Sequence, residues 1–431
     1  MSEAAESSRA RPVKPDDEEV VGEDTRARKR KWVALAAVPV VVGSKDERAE
    51  KIAAGTDVFV DIREPPAPSY LLLPGRVARK VPGRLPRILA THSSGRLLFH
   101  ATAASEDGVD ATAGYFLCDG RARTATRLPA VPVARLGVDL APDRTIGLLS
   151  DPRHAGQYVV AQLHAAAGII PENMLYYSTN SGEWEIKQLV GAASPDHQAW
   201  GAQDVSEDGN LWCVDADHGC ILSCDAFAEH PQLRQLPFPF GRDNQPVVRA
   251  PVARRQYVGV SEGSLRYVEI GGSKEKPAVR GWTYRTGAEA AGWQVEYNVP
   301  LEAIWSGKGG RSAMRKKDHI EVQLIDPTNR HVVYFSVGKK LFQVEVPAHR
   351  VMKQLYMTDP CQIVAWELPP SLFDAHSEFV LTDESAADEG PMPLVPNSNI
   401  RRLQAEGLER APDDTEWNKP SMLVENNRSS S

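Results

Sequence analysis

The sequence predicts an all-β protein with a single propeller-like domain of about six to eight blades. The prediction rests on short alternating segments bounded by turn signals, on the scarcity of helical periodicity, and on the length of the chain. Many short strands with regularly spaced turns are typical of sandwiches, barrels and propellers. A body of about 350 residues exceeds one sandwich, whereas blades of roughly 40 to 50 residues give six to eight repeats.

The stretch YYSTNSGEWEIKQL, residues 176 to 189, is typical of the predicted hairpins. Asn180, Ser181 and Gly182 form a three-residue loop with glycine at the left-handed position, and side chains of alternating character flank it. Similar turn signals recur at residues 94–95, 119–120, 208–209, 262–263, 327–329 and 338–339.

Several predicted strands end in an aliphatic residue followed by proline. Proline has no N–H to donate to a strand ladder, so this step ends a strand where the chain leaves for the next blade. The alternative architecture is two unrelated β domains in tandem. The steps are Leu128-Pro129, Leu236-Pro237, Val299-Pro300, Val346-Pro347 and Leu368-Pro369.

Tryptophans recur near the predicted hairpins. Each blade of a propeller must bury both faces against its neighbours, and a large aromatic side chain near a turn fills the space between blades. We predict this structural role, rather than stacking on a ligand, for Trp184, Trp212, Trp282, Trp293, Trp305 and Trp366.

The two ends of the chain differ in composition from its body. Residues 1–31 and residues 384–431 are polar, charged and without a hydrophobic period, which predicts disordered tails on either side of a propeller-like domain at 32–383. The apolar run at 33–42 contains Pro39 and is about half of the roughly 20 residues that span a bilayer. We therefore expect a buried strand there.

The charge distribution bears on the class of partner. The formal net charge is −7, of which residues 383–431 carry −5 and residues 1–31 carry zero, so the body carries −2. A near-neutral body argues against nucleic acid as the main ligand. We expect a monomer with an unidentified protein partner, no nucleic-acid or membrane partner, and no cofactor.

The cysteine content bears on the cellular compartment. The chain has five cysteines and no recognisable export signal, which favours free thiols in a reducing compartment. A cytoplasmic or nuclear location is therefore predicted. A dense basic cluster in the leader has the form of a nuclear import signal, with a solvated flank beside the first strand as the alternative. Its members are Arg26, Arg28, Lys29, Arg30 and Lys31.

Three stretches carry a resemblance to a known family. They are YYSTNSGEWEIKQL, VSEDGNLWCVDADHGCIL and VRGWTYRTGAEAAGWQVEYNVPLEAIW. In order and spacing, and together with the leading RKRKWVALAAVPVVV, they resemble the plant Domain of Unknown Function 1618 family, which is numerous in grasses. The resemblance covers most of 32–383 and implies a plant source and a propeller-like fold similar to F-box-associated domains. It implies no established activity, and no F-box is expected ahead of residue 32.

A cysteine cluster invites comparison with zinc sites. Cys213, Cys220 and Cys224 enclose Asp215, Asp217 and His218. Structural zinc sites commonly use paired, closely spaced cysteines, whereas these follow a Cys-x6-Cys-x3-Cys pattern across one predicted hairpin. Alternation along the strands would also direct the thiols to different faces. We therefore expect core cysteines and no metal ligands.

Two further segments bear on catalysis. SGKGGRSAMRKKD, at 306–318, lacks the spacing of a phosphate-binding loop, which favours a flexible basic loop. Asp204, Asp215, Asp217 and His218 form the one local concentration of groups for hydrolysis.

We predict no catalytic, cofactor-binding or metal-binding residue. The expected function is a non-catalytic protein-interaction module of unknown biological role in plants. The alternative is a propeller-type hydrolase or carbohydrate-binding protein that uses carboxylates near the central channel.

Overall fold

The computed structural model describes residues 31–103, 112–131, 146–164, 172–190, 209–215, 219–239, 255–273, 275–285, 292–307, 319–357 and 362–372. All of them belong to the compact unit Met1–Glu378. The second unit, Phe379–Ser431, lies outside the described residues, as do residues 1–30. The predicted boundaries of the tails therefore stay predictions.

The described strands form six blades of a β-propeller, which confirms the predicted all-β class and sets the blade number. Blade 1 contains β1 (Lys31–Ala36), β2 (Val40–Val42), β3 (Phe59–Asp61), β4 (Tyr70–Pro74) and β24 (Ile363–Leu368). Blade 2 contains β5 (Arg87–His92), β6 (Arg96–Thr102), β7 (Ala113–Asp119) and β8 (Thr124–Arg127), and blade 3 contains β9 (Ile146–Ser150), β10 (Tyr158–His164), β11 (Asn173–Ser178) and β12 (Glu183–Gln188).

The second half of the chain supplies the other three blades. Blade 4 contains β13 (Asn210–Asp215), β14 (Cys220–Asp225) and β15 (Arg234–Pro237). Blade 5 contains β16 (Gln256–Ser261), β17 (Ser264–Gly272), β18 (Pro277–Arg285) and β19 (Gly292–Pro300). Blade 6 contains β20 (Ile320–Ile325), β21 (Val332–Val337), β22 (Lys340–Glu345) and β23 (Arg350–Tyr356).

Blade 1 closes the ring because it joins strands from both ends of the described chain. Strand β24 pairs antiparallel with β1, from Lys31 opposite Leu368 to Ala36 opposite Ile363. On the other side of β1, Ser69 exchanges backbone hydrogen bonds with Ala34 and Ala36, which connects β1 to the start of β4. The closure therefore depends on a pairing between residues more than 300 positions apart.

Six hydrophobic clusters fill the six junctions between neighbouring blades. The middle strands contribute to two clusters each. In β10, Val159 and Ala161 face blade 4, whereas Val160 faces blade 2. In β21, Val333 faces blade 5 and Tyr334 faces blade 1. Because both faces of these strands are buried, their sequences are almost continuously apolar.

Most predicted turns lie between paired strands. Glu262 and Gly263 join β16 to β17, and both have a positive φ, as a two-residue hairpin loop requires. The predicted turn at 208–209 is different: Gly209 precedes β13, whose described partner is β14, and Asp208 lies outside the described residues.

Two local predictions need correction. The apolar run at 33–42 forms two strands, β1 and β2, because the chain bends between Ala37 and Pro39. Residues Leu301–Ser306, which the sequence did not mark as helical, form a short helix, α1, directly after Pro300. Leu301 and Ile304 anchor it in the junction between blades 5 and 6. Across the described ranges, the helices lack the length and apolar character needed to span a bilayer.

Candidate interaction surface

The six tryptophans singled out from the sequence all contact junctions between blades. Trp366 and Trp282 are buried, and the other four are half-buried. Trp366 packs in the junction between blades 1 and 2, and Trp184 packs in the junction between blades 2 and 3. Trp212, Trp282 and Trp293 share the junction between blades 4 and 5, and Trp305 lies in the junction between blades 5 and 6.

Three of these tryptophans also make a hydrogen bond across their junction. The indole Nε1 of Trp184 donates to the carbonyl oxygen of Pro129 at 2.9 Å, and Nε1 of Trp293 donates to that of Pro237 at 2.9 Å. Nε1 of Trp366 donates to the carbonyl oxygen of His92 at 3.1 Å. The two prolines belong to the Leu-Pro steps noted in the sequence, so the strand-ending steps also serve as acceptors for the next blade.

The three cysteines of blade 4 lie on one face, which corrects the prediction that alternation would separate them. Cys213 pairs with Leu222 across the ladder, and Cys220 and Cys224 lie two positions to either side of Leu222 on β14. All three are buried in the junction with blade 3.

Burial makes these thiols poor nucleophiles. Desolvation raises the pKa of Cys224 to about 12, helped by the charge of Asp225, and desolvation also raises the pKa of Cys213. A thiol that stays protonated at neutral pH is a poor nucleophile. Within the described ranges, no group of three or more His, Cys, Asp or Glu side chains could hold a metal ion. Asp217 and His218 lie outside those ranges.

Buried carboxylates support two Asp-Pro turns. The side chain of Asp151, which follows β9, accepts a hydrogen bond from the backbone N–H of Arg153 at 2.9 Å and lies 2.9 Å from Nδ1 of His154. Burial opposes ionisation of Asp151, but its hydrogen bonds with His154 and Arg153 outweigh burial and lower the pKa. Asp326 holds the corresponding turn of blade 6 by accepting from Thr328. Both carboxylates therefore stabilise the turns by hydrogen bonds within them.

An ionic network connects blades 5 and 6. The Arg266 guanidinium, almost fully buried, contacts Thr283 and Glu296 within blade 5. Arg330, from the turn after β20, lies 3.9 Å from Glu296 and 3.8 Å from Glu262. The turns are also joined directly, because the backbone N–H of Glu262 donates to the Pro327 carbonyl oxygen. The charges of this network neutralise one another.

The connection between blades 1 and 2 has a different character. It contains a turn, residues 79–85 with the sequence RKVPGRL, which we call the basic turn. Arg84 N–H donates to the Val81 carbonyl oxygen at 3.0 Å, and Gly83 has a φ of 75°, as Pro-Gly at the centre of a type II turn requires. The turn therefore has a defined backbone conformation.

Backbone contacts with blade 2 on one side and with blade 1 on the other anchor the basic turn at both ends. The Arg79 N–H donates to the Thr102 carbonyl oxygen at 2.9 Å, and the preceding Ala78 is buried and forms a bridge with Ala103. On the other side, Pro86 is buried and the Ile88 N–H donates to the Ala37 carbonyl oxygen at 2.8 Å. The side chains of the turn thus project from fixed backbone.

The basic turn exposes three bases and one large apolar side chain. Arg79, Lys80 and Arg84 are exposed, and Leu85 is 52% exposed. Lys80 and Arg84 form no ion pair with the acidic side chains of the described residues, unlike the neighbouring Arg76, which pairs with Asp57. This combination makes the turn the strongest candidate for a recognition surface in the described part of the chain.

The sequence contains a signal for this surface that the net charge of the whole body conceals. Residues 65–105 hold six bases and no acidic residue. The rest of the body carries an excess of acidic residues, so the net charge of the whole body is close to zero and hides the basic segment. A charge count over windows of about 40 residues would have shown the asymmetry.

Comparison with known families supports part of the resemblance seen in the sequence. Residues 212–334 match the model of a family described as "Protein of unknown function (DUF1618)". This range runs from β13 into β21 and is narrower than the 32–383 over which the resemblance was expected. The segment at 176–189 lies outside it. No curated protein matches the chain.

Solved structures with a detectable likeness are distant. The dihydro-heme d1 dehydrogenase NirN is 10% identical, with a TM-score of 0.29 over 65% of this chain, and this chain spans 59% of its length. The α-L-arabinofuranosidase PaAbf62A of Podospora anserina is 15% identical, with a TM-score of 0.27 over 78% of this chain and 96% of its own. A functionally unknown protein from Desulfotomaculum acetoxidans is 9% identical, with a TM-score of 0.34 over 73% and 84%. Likenesses this weak carry no argument about activity.

Proposed function

We propose that the chain is a non-catalytic protein-interaction module, that it comes from a plant, and that its kinship with the DUF1618 family extends beyond the matched residues 212–334 to the whole propeller. The observation that carries the proposal is the basic turn, in which three exposed bases and Leu85 project from backbone that is anchored to blades 1 and 2. A recognition element benefits from a backbone that is already fixed in shape and from charged side chains that are exposed. A preorganised backbone loses little conformational entropy when a partner binds.

Three carboxylates of the described residues support this proposal over the hydrolase alternative. Asp151 and Asp326 accept hydrogen bonds within their own turns, and Glu296 is paired with Arg266 and Arg330. A glycosidase needs an acid and a second carboxylate or base that face one cleft and are available to the substrate. Groups already engaged in holding turns and blade junctions are poorly suited to that role.

Affinity purification from plant tissue tests the proposal. The tagged wild-type protein is expected to retain specific proteins that a Lys80→Glu/Arg84→Glu variant with the same thermal stability does not retain. The purified protein is expected to release no product from a panel of nitrophenyl glycosides that includes the α-L-arabinofuranoside. Turnover of any of these substrates would favour the hydrolase alternative.

The oligomeric state and location are part of the same proposal. A monomer in the cytosol or nucleus is expected, with neither nucleic acid nor membrane as its partner. Light scattering after size-exclusion chromatography measures the mass, for comparison with the 47.2 kDa of one chain.

Fluorescent fusions test the basic leader. If the cluster at 26–31 acts in nuclear import, replacing Arg28, Lys29, Arg30 and Lys31 with Ala is expected to shift a fusion protein out of the nucleus. An unchanged distribution would leave the cluster as a solvated flank of β1.

A further inference from the structure

We propose, building on the proposed function, that the basic turn binds a short acidic segment of a protein partner, and that an aliphatic side chain of the same segment packs on Leu85. This inference names the chemical class of the partner. It rests on the charge balance of the segment, the exposure of Leu85, and the size of the surface.

The charge balance of residues 65–105 distinguishes the turn from its surroundings. Three of the six bases in this segment are held by other parts of the fold: Arg76 pairs with Asp57, Arg96 pairs with Asp119 at 2.9 Å, and Arg87 donates to Gln362 at 3.1 Å. Arg79, Lys80 and Arg84 are the exposed bases of the basic turn, and the proposal rests on Lys80 and Arg84, which form no ion pair with the acidic side chains of the described residues. Carboxylates are the natural complement of such a cluster, and Arg can bind them with two parallel hydrogen bonds.

The apolar component distinguishes a peptide from a polyanion. Leu85 is adjacent to Arg84 and is 52% exposed, and Pro82 is exposed at the tip of the turn. A phosphate group has no apolar surface that could pack against an exposed leucine. Peptide interfaces, in contrast, combine apolar anchor residues with a rim of charged residues. A segment with acidic residues on either side of a leucine, isoleucine or valine would use both kinds of side chain.

The size of the surface and the charge of the whole chain also favour a short peptide over an extended polyanion such as DNA. Tight DNA binding uses about six to ten phosphate contacts along an extended basic face. The basic turn offers three bases, and the chain that carries it has a net charge of −7. Long-range repulsion therefore opposes an extended polyanion more than it opposes a short peptide, whose charges fit within one turn.

Peptide display followed by binding measurements tests this inference. A library of random 12-residue peptides is selected on the full-length wild-type protein and, in parallel, on the Lys80→Glu/Arg84→Glu variant. We expect the peptides enriched on the wild type alone to carry an excess of Asp and Glu together with an aliphatic residue. Enrichment without an acidic excess would overturn the inference.

The best enriched peptide is then synthesised, and its affinity is measured by fluorescence anisotropy. Charge reversal at Lys80 and Arg84 is expected to weaken binding at least about tenfold, and Leu85→Ser about threefold. Raising sodium chloride from about 50 to 300 mM should also weaken wild-type binding, because salt screens exposed charges. Lys80→Ala/Arg84→Ala, which removes the charges without reversing them, is expected to show an intermediate loss.

A matched control changes the same charge elsewhere. Arg285 and Lys353 are exposed on blades 5 and 6, so Arg285→Glu/Lys353→Glu changes the net charge by the same amount. The control is expected to alter peptide affinity less than about twofold. An equal loss in both double variants would show a general charge effect and would contradict a site at the turn.

Acidic residues of the chain itself could compete with the peptide. Glu106, Asp107 and Asp110 follow Ala103 closely in sequence and lie outside the described residues. The titration is therefore repeated with Glu106→Gln/Asp107→Asn/Asp110→Asn protein. Peptide binding in this background that depends on Lys80 and Arg84 supports the inference, and absence of binding in both backgrounds overturns it.

Two further probes separate the partner classes. Binding of duplex DNA, or of vesicles containing phosphatidylserine, that exceeds peptide binding and depends on Lys80 and Arg84 would overturn the acidic-peptide inference. Failure of this inference can be distinguished from failure of the proposed function. If proteins captured from plant tissue are retained by the Lys80→Glu/Arg84→Glu variant while acidic peptides fail to bind, the interaction module stands and this surface does not.

Discussion

The tryptophans of the blade junctions differ in how completely their side chains are covered. Trp366 has no exposed surface and contacts the cores of blades 1 and 2, whereas Trp184 is half-buried against Tyr115 and Tyr177. Both donate one hydrogen bond across a junction. Their contributions to stability should therefore scale with burial.

Trp366→Ala is expected to lower the free energy of unfolding by roughly 3 to 5 kcal/mol, as large-to-small substitutions in a core do. Trp184→Ala is expected to cost about 2 kcal/mol, because part of the ring is already in contact with water. Urea denaturation of the two variants measures the difference. Equal costs would show that the half-buried ring is more important to its junction than its burial indicates.

The ionic network of blades 5 and 6 predicts a dependence on pH. Burial acts against ionisation of Glu296, but hydrogen bonds from Thr283 and Arg266 and the charges of Arg266 and Arg330 outweigh it and lower the pKa. A carboxyl whose folded pKa is depressed adds stability above its ordinary value of 4.5, and that stability is lost as the pH falls through the folded pKa.

Glu296→Gln should therefore destabilise the protein more at pH 7 than at about pH 3.5. Chemical denaturation of the wild type and the variant at both values gives the comparison. Glu172→Gln, at an exposed position, is the control and is expected to show little change at either pH. A cost for Glu296→Gln that does not vary with pH would show that the carboxylate contributes by packing alone.

Among the elements, β18 depends on a glycine for contact with β19. Gly281 lies opposite Tyr297 at a point where the register shifts, and the ring of Tyr297 covers the position that a Cβ would occupy. An aromatic ring packed over a strand glycine compensates for the missing side chain. The pair therefore works as a unit.

Gly281→Ala is expected to destabilise the protein by about 1 to 3 kcal/mol, because the added methyl group displaces a buried ring. Gly43→Ala is the matched control, since Gly43 is exposed and a Cβ added there would meet nothing within 4 Å. Thermal denaturation of both variants measures the effect. A Gly281→Ala protein as stable as the control would show that Tyr297 moves aside without cost.

For the whole molecule, we expect stability to depend on closing the ring through blade 1, where β1 pairs with β24. Removing residues 1–25 and 390–431 deletes almost no periodic apolar sequence, and the melting temperature is expected to change little. Extending the N-terminal deletion through Ala36 removes β1, the partner of β24. This longer deletion is expected to abolish cooperative unfolding.

Circular dichroism during heating distinguishes the two deletions. A fall of about ten degrees in the shorter one would place folded structure in the tails and contradict the predicted boundaries. Retention of a cooperative transition in the longer one would show that five blades are stable without closure.

Local features of the fold were predictable because they depend on neighbouring residues. Turn residues with a positive φ, such as Gly95, Gly182 and Gly263, marked the hairpins. The sequence pattern predicts alternating strands, whereas middle strands such as β10 are almost continuously apolar because both of their faces are buried. The exposed character of the basic turn was also encoded locally, in the acid-free segment 65–105 and its Pro-Gly pair. The all-β class and most of the hairpin positions were therefore determined by the sequence by itself.

The tertiary structure decided the features that depend on distant partners. The number of blades, the pairing of β1 with β24, the common face of Cys213, Cys220 and Cys224, and the hydrogen bonds from indoles to the proline carbonyls all require the register of strands or the position of the next blade. Alternation within one strand cannot reveal which residue lies opposite on another. The physical reason is that these contacts form only after long loops have closed and two sheet faces have packed together.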